Sequence, residues 1–171
     1  KHFDFEPGSH TIGVQYTVTN LAAKAAQLTP FVQLKRDSSP APVASDAGMG
    51  MQPFLGSALT QPDQRFTKFD FEDMAEDHFR ADLTGGWIAM LQHYFVSAWV
   101  PDPDNTYRFR TRQTRSGDNI IGYTGPAIVI TSGETTTISN QLYVGPKNQS
   151  VLADLAKHLD LVVDYGWLWW I

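Results

Sequence analysis

The chain has no cysteine among its 171 residues. Disulfides, thiolate metal sites and a cysteine nucleophile are therefore excluded, and the compartment stays open, because cytosolic and periplasmic proteins alike can lack the residue. Basic charge is scarce as well: 13 Lys and Arg stand against 18 Asp and Glu, a formal net charge of −5. A nucleic-acid surface needs a basic footprint with interleaved aromatics, and the basic residues here are mostly dispersed, so no nucleic-acid partner is expected. The densest basic run is Arg108, Arg110, Arg112 and Arg115. Its first three members alternate at strand spacing and read as the solvated face of a ribbon. No signal peptide or spanning segment is present. The opening Lys1-His2-Phe3-Asp4-Phe5 has no initiator Met, so the chain reads as the interior of a longer product.

Catalytic signatures are also missing. The five histidines (His2, His10, His78, His93, His158) are scattered without HxH or HExxH spacing, so no metal site is expected. No GxSxG elbow, phosphate-binding loop or dinucleotide fingerprint occurs, which leaves neither a catalytic residue nor a cofactor to assign. Residues 70–82 hold six carboxylates in thirteen positions. A hydrolase would need two of them held in a cleft with divergent pKa values; in so polar a stretch, an exposed acidic connection is the default. His93 lies in an apolar run and reads as a buried, hydrogen-bonded structural residue.

Alternation is what the sequence does have. Ile12, Val14, Tyr16 and Val18 alternate with polar residues or glycine up to Asn20, the pattern of a half-buried strand. Phe31-Val32-Gln33-Leu34-Lys35 is a second strand, and residues 65–71 alternate again. Residues 37–53, rich in Ser, Pro, Ala and Gly, form a long loop. Gly85-Gly86 opens the most apolar internal stretch, residues 87–100, whose aromatic and β-branched content favours buried strands, with a helix over part of it left open. It is too short and too polar to span a membrane. Further strands are expected at 107–112, 120–123, 127–131 and 135–144, with Ser132-Gly133-Glu134 as a tight hairpin turn. This spacing predicts a mainly β protein, an antiparallel sandwich or barrel.

The pattern changes after Gly145. Pro146 suits the first turn of a helix, and Val151, Leu152, Leu155 and Leu159 then recur at helical spacing opposite Asp154, Lys157 and His158. A helix to about His158 is expected. From there the period becomes two, with Leu159, Leu161, Val163 and Tyr165 alternating along an extended connector to Gly166. The chain closes on Trp167-Leu168-Trp169-Trp170-Ile171, three of its five tryptophans within four positions. Two readings of this end are open: an element docked in the core, or the edge of a membrane, where indoles favour the headgroup layer.

Several segments together resemble a known family: Phe31-Val32-Gln33-Leu34-Lys35, the run from Gly85-Gly86-Trp87 to His93-Tyr94-Phe95, Val144-Gly145-Pro146, and His158-Leu159-Asp160-Leu161 through Tyr165-Gly166-Trp167-Leu168-Trp169. In this order they are similar to the large periplasmic domain of bacterial membrane-protein insertases of the YidC/Oxa/Alb family. The loop 37–53 does not carry the resemblance. The resemblance implies an antiparallel β-supersandwich of the galactose-mutarotase type, here its later part, followed by a C-terminal amphipathic helix leading to the membrane. It also implies a non-catalytic scaffold in the periplasm, attached to an inner-membrane protein that assists insertion of nascent membrane proteins alone or with the Sec translocon and its accessory subunits SecD and SecF. Residues 1–145 would form the sandwich portion, 146–166 the helix and connector, and 167–171 the start of the membrane-interfacial segment. Val151, Leu152, Leu155, Leu159, Leu161 and Val163 would position the domain, and Tyr165, Trp167, Leu168, Trp169 and Trp170 would meet the lipid interface. Two other readings compete. A mutarotase-like carbohydrate protein would need His10 or His93 facing a carboxylate in a cleft, and a peptide-binding cleft would use exposed side chains such as Phe54 or Phe66.

Overall fold

The computed structural model describes residues 1–40 and 54–163. Most of the loop expected at 37–53 and all of the Trp-rich end lie outside the described residues. The described strands, in chain order, are β1 His2–Phe5, β2 Thr11–Thr19, β3 Ala26–Leu28, β4 Phe31–Arg36, β5 Gly56–Leu59, β6 Thr67–Phe69, β7 Arg80–Thr84, β8 Ile88–Leu91, β9 Phe95–Val100, β10 Thr106–Gln113, β11 Asn119–Thr124, β12 Ile128–Ile130 and β13 Thr135–Pro146. A seven-stranded sheet has the order β1-β2-β13-β9-β8-β5-β6, a four-stranded sheet the order β4-β11-β10-β7, and β3 pairs with β12 alone. The pairings are antiparallel, as the alternation predicted.

The apolar run 87–100 is a hairpin, β8 and β9, at the centre of the larger sheet. Its continuity in the sequence has a simple cause: the sheet is covered on both faces there, so neither side of the strand needs polar residues. Ile88 and Met90 face the four-stranded sheet, packing with Leu59, Tyr107, Phe109, Ile121 and Tyr123. Ala89 and Leu91 face the other way, into a cluster with Ala58, Val96, Ala98 and Tyr143. The outer face of the four-stranded sheet carries the arginines: along β10, Tyr107, Phe109 and Thr111 are buried while Arg108, Arg110 and Arg112 are exposed.

Five local expectations need correcting. The acidic segment 70–82 contains a short helix, α1 Phe71–Glu76, started by a capping box in which Asp70 accepts from the Asp73 amide at 2.7 Å and Asp73 accepts from the Asp70 amide at 3.3 Å. Carboxylates that read as solvated connection close the helix start, and Met74 is fully buried beneath it, taking a hydrogen bond from Ser57 Oγ. Ser132-Gly133-Glu134 is a tight turn, yet it does not close a hairpin, because β12 pairs with β3 while β13 pairs with β2 and β9. Pro146 ends a strand; the helix α2, Gln149–Leu155, begins after it with Asn148 as its cap. The extended connector is, over Leu159–Val162, a 3-10 helix. Residues three apart eclipse one another in that geometry, which buries Leu159 with Val162 and leaves Leu161 exposed. Finally, His93 is half-buried in the β8–β9 turn, its ring 3.8 Å from that of Tyr94 between centroids.

Candidate functional site

The free face of the seven-stranded sheet is built to seat the C-terminal elements. Ala58, Ala89, Ala98 and Tyr143 are register neighbours across β5, β8, β9 and β13, so they form one row on one face. Three methyl groups abreast make a shallow floor ending at the wall of a buried tyrosine ring. α2 and the 3-10 helix descend onto it through Leu152, Leu159 and Val162, each at most 1% exposed. Burial of side chains of this size contributes about 1.5–3 kcal/mol each, enough to hold segments too short to be helical alone.

Polar contacts fix the path of the chain over this floor. The Tyr143 hydroxyl donates to the Pro146 carbonyl at 2.7 Å, turning the chain out of β13. Burial pushes the Tyr143 phenol pKa up, which keeps it a donor. Asn148 then caps α2, accepting from the Val151 amide at 3.4 Å. At the far end, Trp87 Nε1 donates to the Lys157 carbonyl at 3.1 Å, with its ring fully buried in the same cluster. His158 follows in the left-handed region, at φ 68°, and reverses the chain into the 3-10 helix. Beside this junction lies a groove of about 600 Å³, bordered by Pro62, Trp87, Pro101, Gln141, Asp154 and His158.

The positioning residues expected from the sequence are thus brought together in part. Leu152 and Leu159 are buried, Leu155 and Val163 are half-buried against the same cluster, and Val151 and Leu161 are exposed. The apolar face of α2 is narrower than its sequence implied. Sequence reasoning missed Trp87, the three alanines, Tyr143 and Val162. The alanines carried a faint signal: Ala89 and Ala98 are small residues on the same side of two strands whose other residues, apart from Ser97, are large. Tyr165, Trp167, Leu168, Trp169 and Trp170 lie outside the described residues.

The residues of the two competing readings have other employment. The His10 ring covers Gly145, where an added Cβ would lie 2.6 Å from it. His93 stacks on Tyr94 in a turn. Phe54 and Phe66 pack on the buried cluster, and the Lys68 ammonium sits 4.9 and 5.4 Å from their ring centroids. Among the described residues, no helix is long and apolar enough to cross a membrane.

Comparison with known proteins points one way. The family model described as the YidC periplasmic domain matches residues 1–171. A Marinomonas sp. (strain MWYL1) protein named membrane protein insertase YidC is 43% identical over 171 residues, covering 100% of this chain and 31% of the relative. Proteins of the same name from Cellvibrio japonicus (strain Ueda107) and Pseudomonas putida (strain W619) are 38% and 41% identical, again over 100% of this chain and 31% and 30% of their own lengths. The chain spans roughly a third of the length of these relatives.

Proposed function

The chain belongs to the family of YidC periplasmic domains, and from that premise we propose that it serves a membrane-protein insertase as a non-catalytic scaffold and interaction domain at the membrane surface. The observation that supports this reading most is the seating of α2 and the 3-10 helix on the seven-stranded sheet. A chain that runs from this clamped segment directly into Tyr165-Gly166-Trp167-Leu168-Trp169-Trp170 couples a rigid body to a stretch suited to the lipid interface. Each indole acts there as a depth anchor, and the sandwich is held at fixed height and orientation. The insertase as a whole assists nascent membrane proteins into the inner membrane, and the Sec translocon with SecD and SecF supplies the partners of the periplasmic surface.

Liposome flotation of the chain, with and without Trp167, Trp169 and Trp170 changed to Ala, tests the anchor. The parent chain is expected to float with the vesicles and the triple variant to remain in the soluble fraction. Equal partition of the two would remove the interfacial role from the tail.

A further inference from the structure

We propose that the outer face of the four-stranded sheet is a docking surface for an acidic, extended segment of a protein partner. Register places Arg110 directly beside Arg80 on β7 and Gly122 on β11, with Gln33 beyond, while the neighbouring rows are Lys35–Ile120–Arg112 and Thr124–Arg108–Asp82. Two of the five cations are already paired: Arg108 with Asp82 at 2.8 Å and Lys35 with Asp118 at 2.9 Å. Arg80, Arg110 and Arg112 are exposed, and no acidic residue shares their rows; Asp82 stands in the neighbouring row, across from Arg108.

Like charges directly opposite on adjacent strands destabilise a sheet. The Arg80–Arg110 neighbourhood therefore gives the isolated fold nothing, and an anion laid between the two guanidinium groups would relieve the repulsion. Planar guanidinium groups suit carboxylates bidentately. Along β10 alternate residues stand about 6.8 Å apart, the same repeat as carboxylates on alternate residues of an extended chain.

Charge distribution favours an acidic polypeptide over an anionic membrane. This face holds five of the 13 cations and, with its margin, three of the 18 anions (Asp37, Asp82 and Asp118), leaving eight cations against fifteen anions on the rest of the chain. An anionic bilayer extends beyond the patch on every side and carries charge of the same sign as the chain as a whole, net −5. A single acidic segment meets the patch alone.

The test is fluorescence anisotropy of a labelled peptide of alternating Glu and Thr, titrated with the chain at physiological salt. Parent and K24Q chains are expected to bind, and the R80Q/R110Q/R112Q chain to bind about tenfold or more weakly, with a thermal midpoint no lower than the parent's. Equal binding by parent and triple variant, or none by the parent, overturns the proposal. So does arginine-dependent capture by phosphatidylglycerol vesicles without peptide binding, which would assign the face to lipid. The tail tryptophans are untouched in every arm, so failure here is distinct from failure of the interfacial anchor.

Discussion

Trp87 and Lys157 are 70 residues apart in the sequence, and the indole N–H of the first donates to the backbone carbonyl of the second at 3.1 Å. The contact joins the residue just before the central hairpin's first strand, β8, to the last turn before the chain reverses at His158. It lets a fully buried indole satisfy its donor while its ring fills the floor under α2. Phe66 packs on the same ring at 6.1 Å between centroids. The C-terminal elements therefore belong to the sandwich core rather than to an appendage on it.

Replacing Trp87 by Phe keeps most of the ring and removes the donor. The expected loss is about 1 kcal/mol for the hydrogen bond, whereas Trp87→Ala should cost about 3–5 kcal/mol through the cavity it leaves. Urea denaturation measures both. Hydrogen exchange should quicken across α2 and the 3-10 helix in Trp87→Phe; unchanged protection there would show that the bond does not hold the segment.

Ala98 stands at the end of the small-residue row, with Ala89 on one side and the Tyr143 ring on the other. Ala98→Leu should lift Leu152 and Val162 off the floor and destabilise the fold by about 1–3 kcal/mol through overpacking. A variant as stable as the parent, with the same amide protection over α2, would mean the floor has space to spare.

How much of this could be read in advance depends on the range of the interaction that decides it. The strand at 11–19 and the basic face of β10 were legible because period-2 burial writes itself locally into the residues. The buried strands of 87–100 showed through their aromatic and β-branched content, with a helix over part of the run left open. The abreast arrangement of Ala58, Ala89 and Ala98 was not, since it depends on strand register across three separate segments. Pro146 fits a helix start or a strand end equally well by local rules, and the capping geometry at Asn148 decided between them. The connector failed for a related reason: Leu159, Leu161 and Val163 alternate, yet Leu159 and Val162 are the pair that the sheet beneath them buries.

Acid should weaken the fold through a few surface carboxylates, of which Asp118 is half-buried and Asp82 and Glu134 are exposed. Hydrogen bonds from Lys35 and then Ser116 hold the Asp118 carboxyl below the ordinary range, Arg108 does the same for Asp82, and the Thr131 amide and hydroxyl do so for Glu134. A lowered folded-state pKa contributes stability that is complete above the unfolded value and disappears as pH falls through the folded one. The thermal midpoint should thus be insensitive to these groups above about pH 5 and decline below about pH 4. Asp118→Asn should lower the midpoint at neutral pH and flatten the acid decline. Parallel curves for parent and variant down to the lowest pH would refute the assignment.

His158 is the one non-glycine residue at positive φ among the described residues, at 68° with ψ 7°. The left-handed region costs a residue with a Cβ about 1–2 kcal/mol, and the reversal there is what turns Leu159 down onto the sheet beside Leu152. Glycine would remove the strain while raising the entropy of the unfolded chain by a smaller amount, about 0.5–1 kcal/mol. His158→Gly should accordingly be neutral or stabilising by up to about 1 kcal/mol. A β-branched residue is least tolerant of this conformation, so His158→Val should destabilise by about 1–2 kcal/mol and loosen the 3-10 helix in hydrogen exchange. If Val and Gly leave the urea midpoint at the same place, the backbone at 158 carries no strain, and the path of the chain toward the Trp-rich end is set by Trp87 and the buried leucines alone.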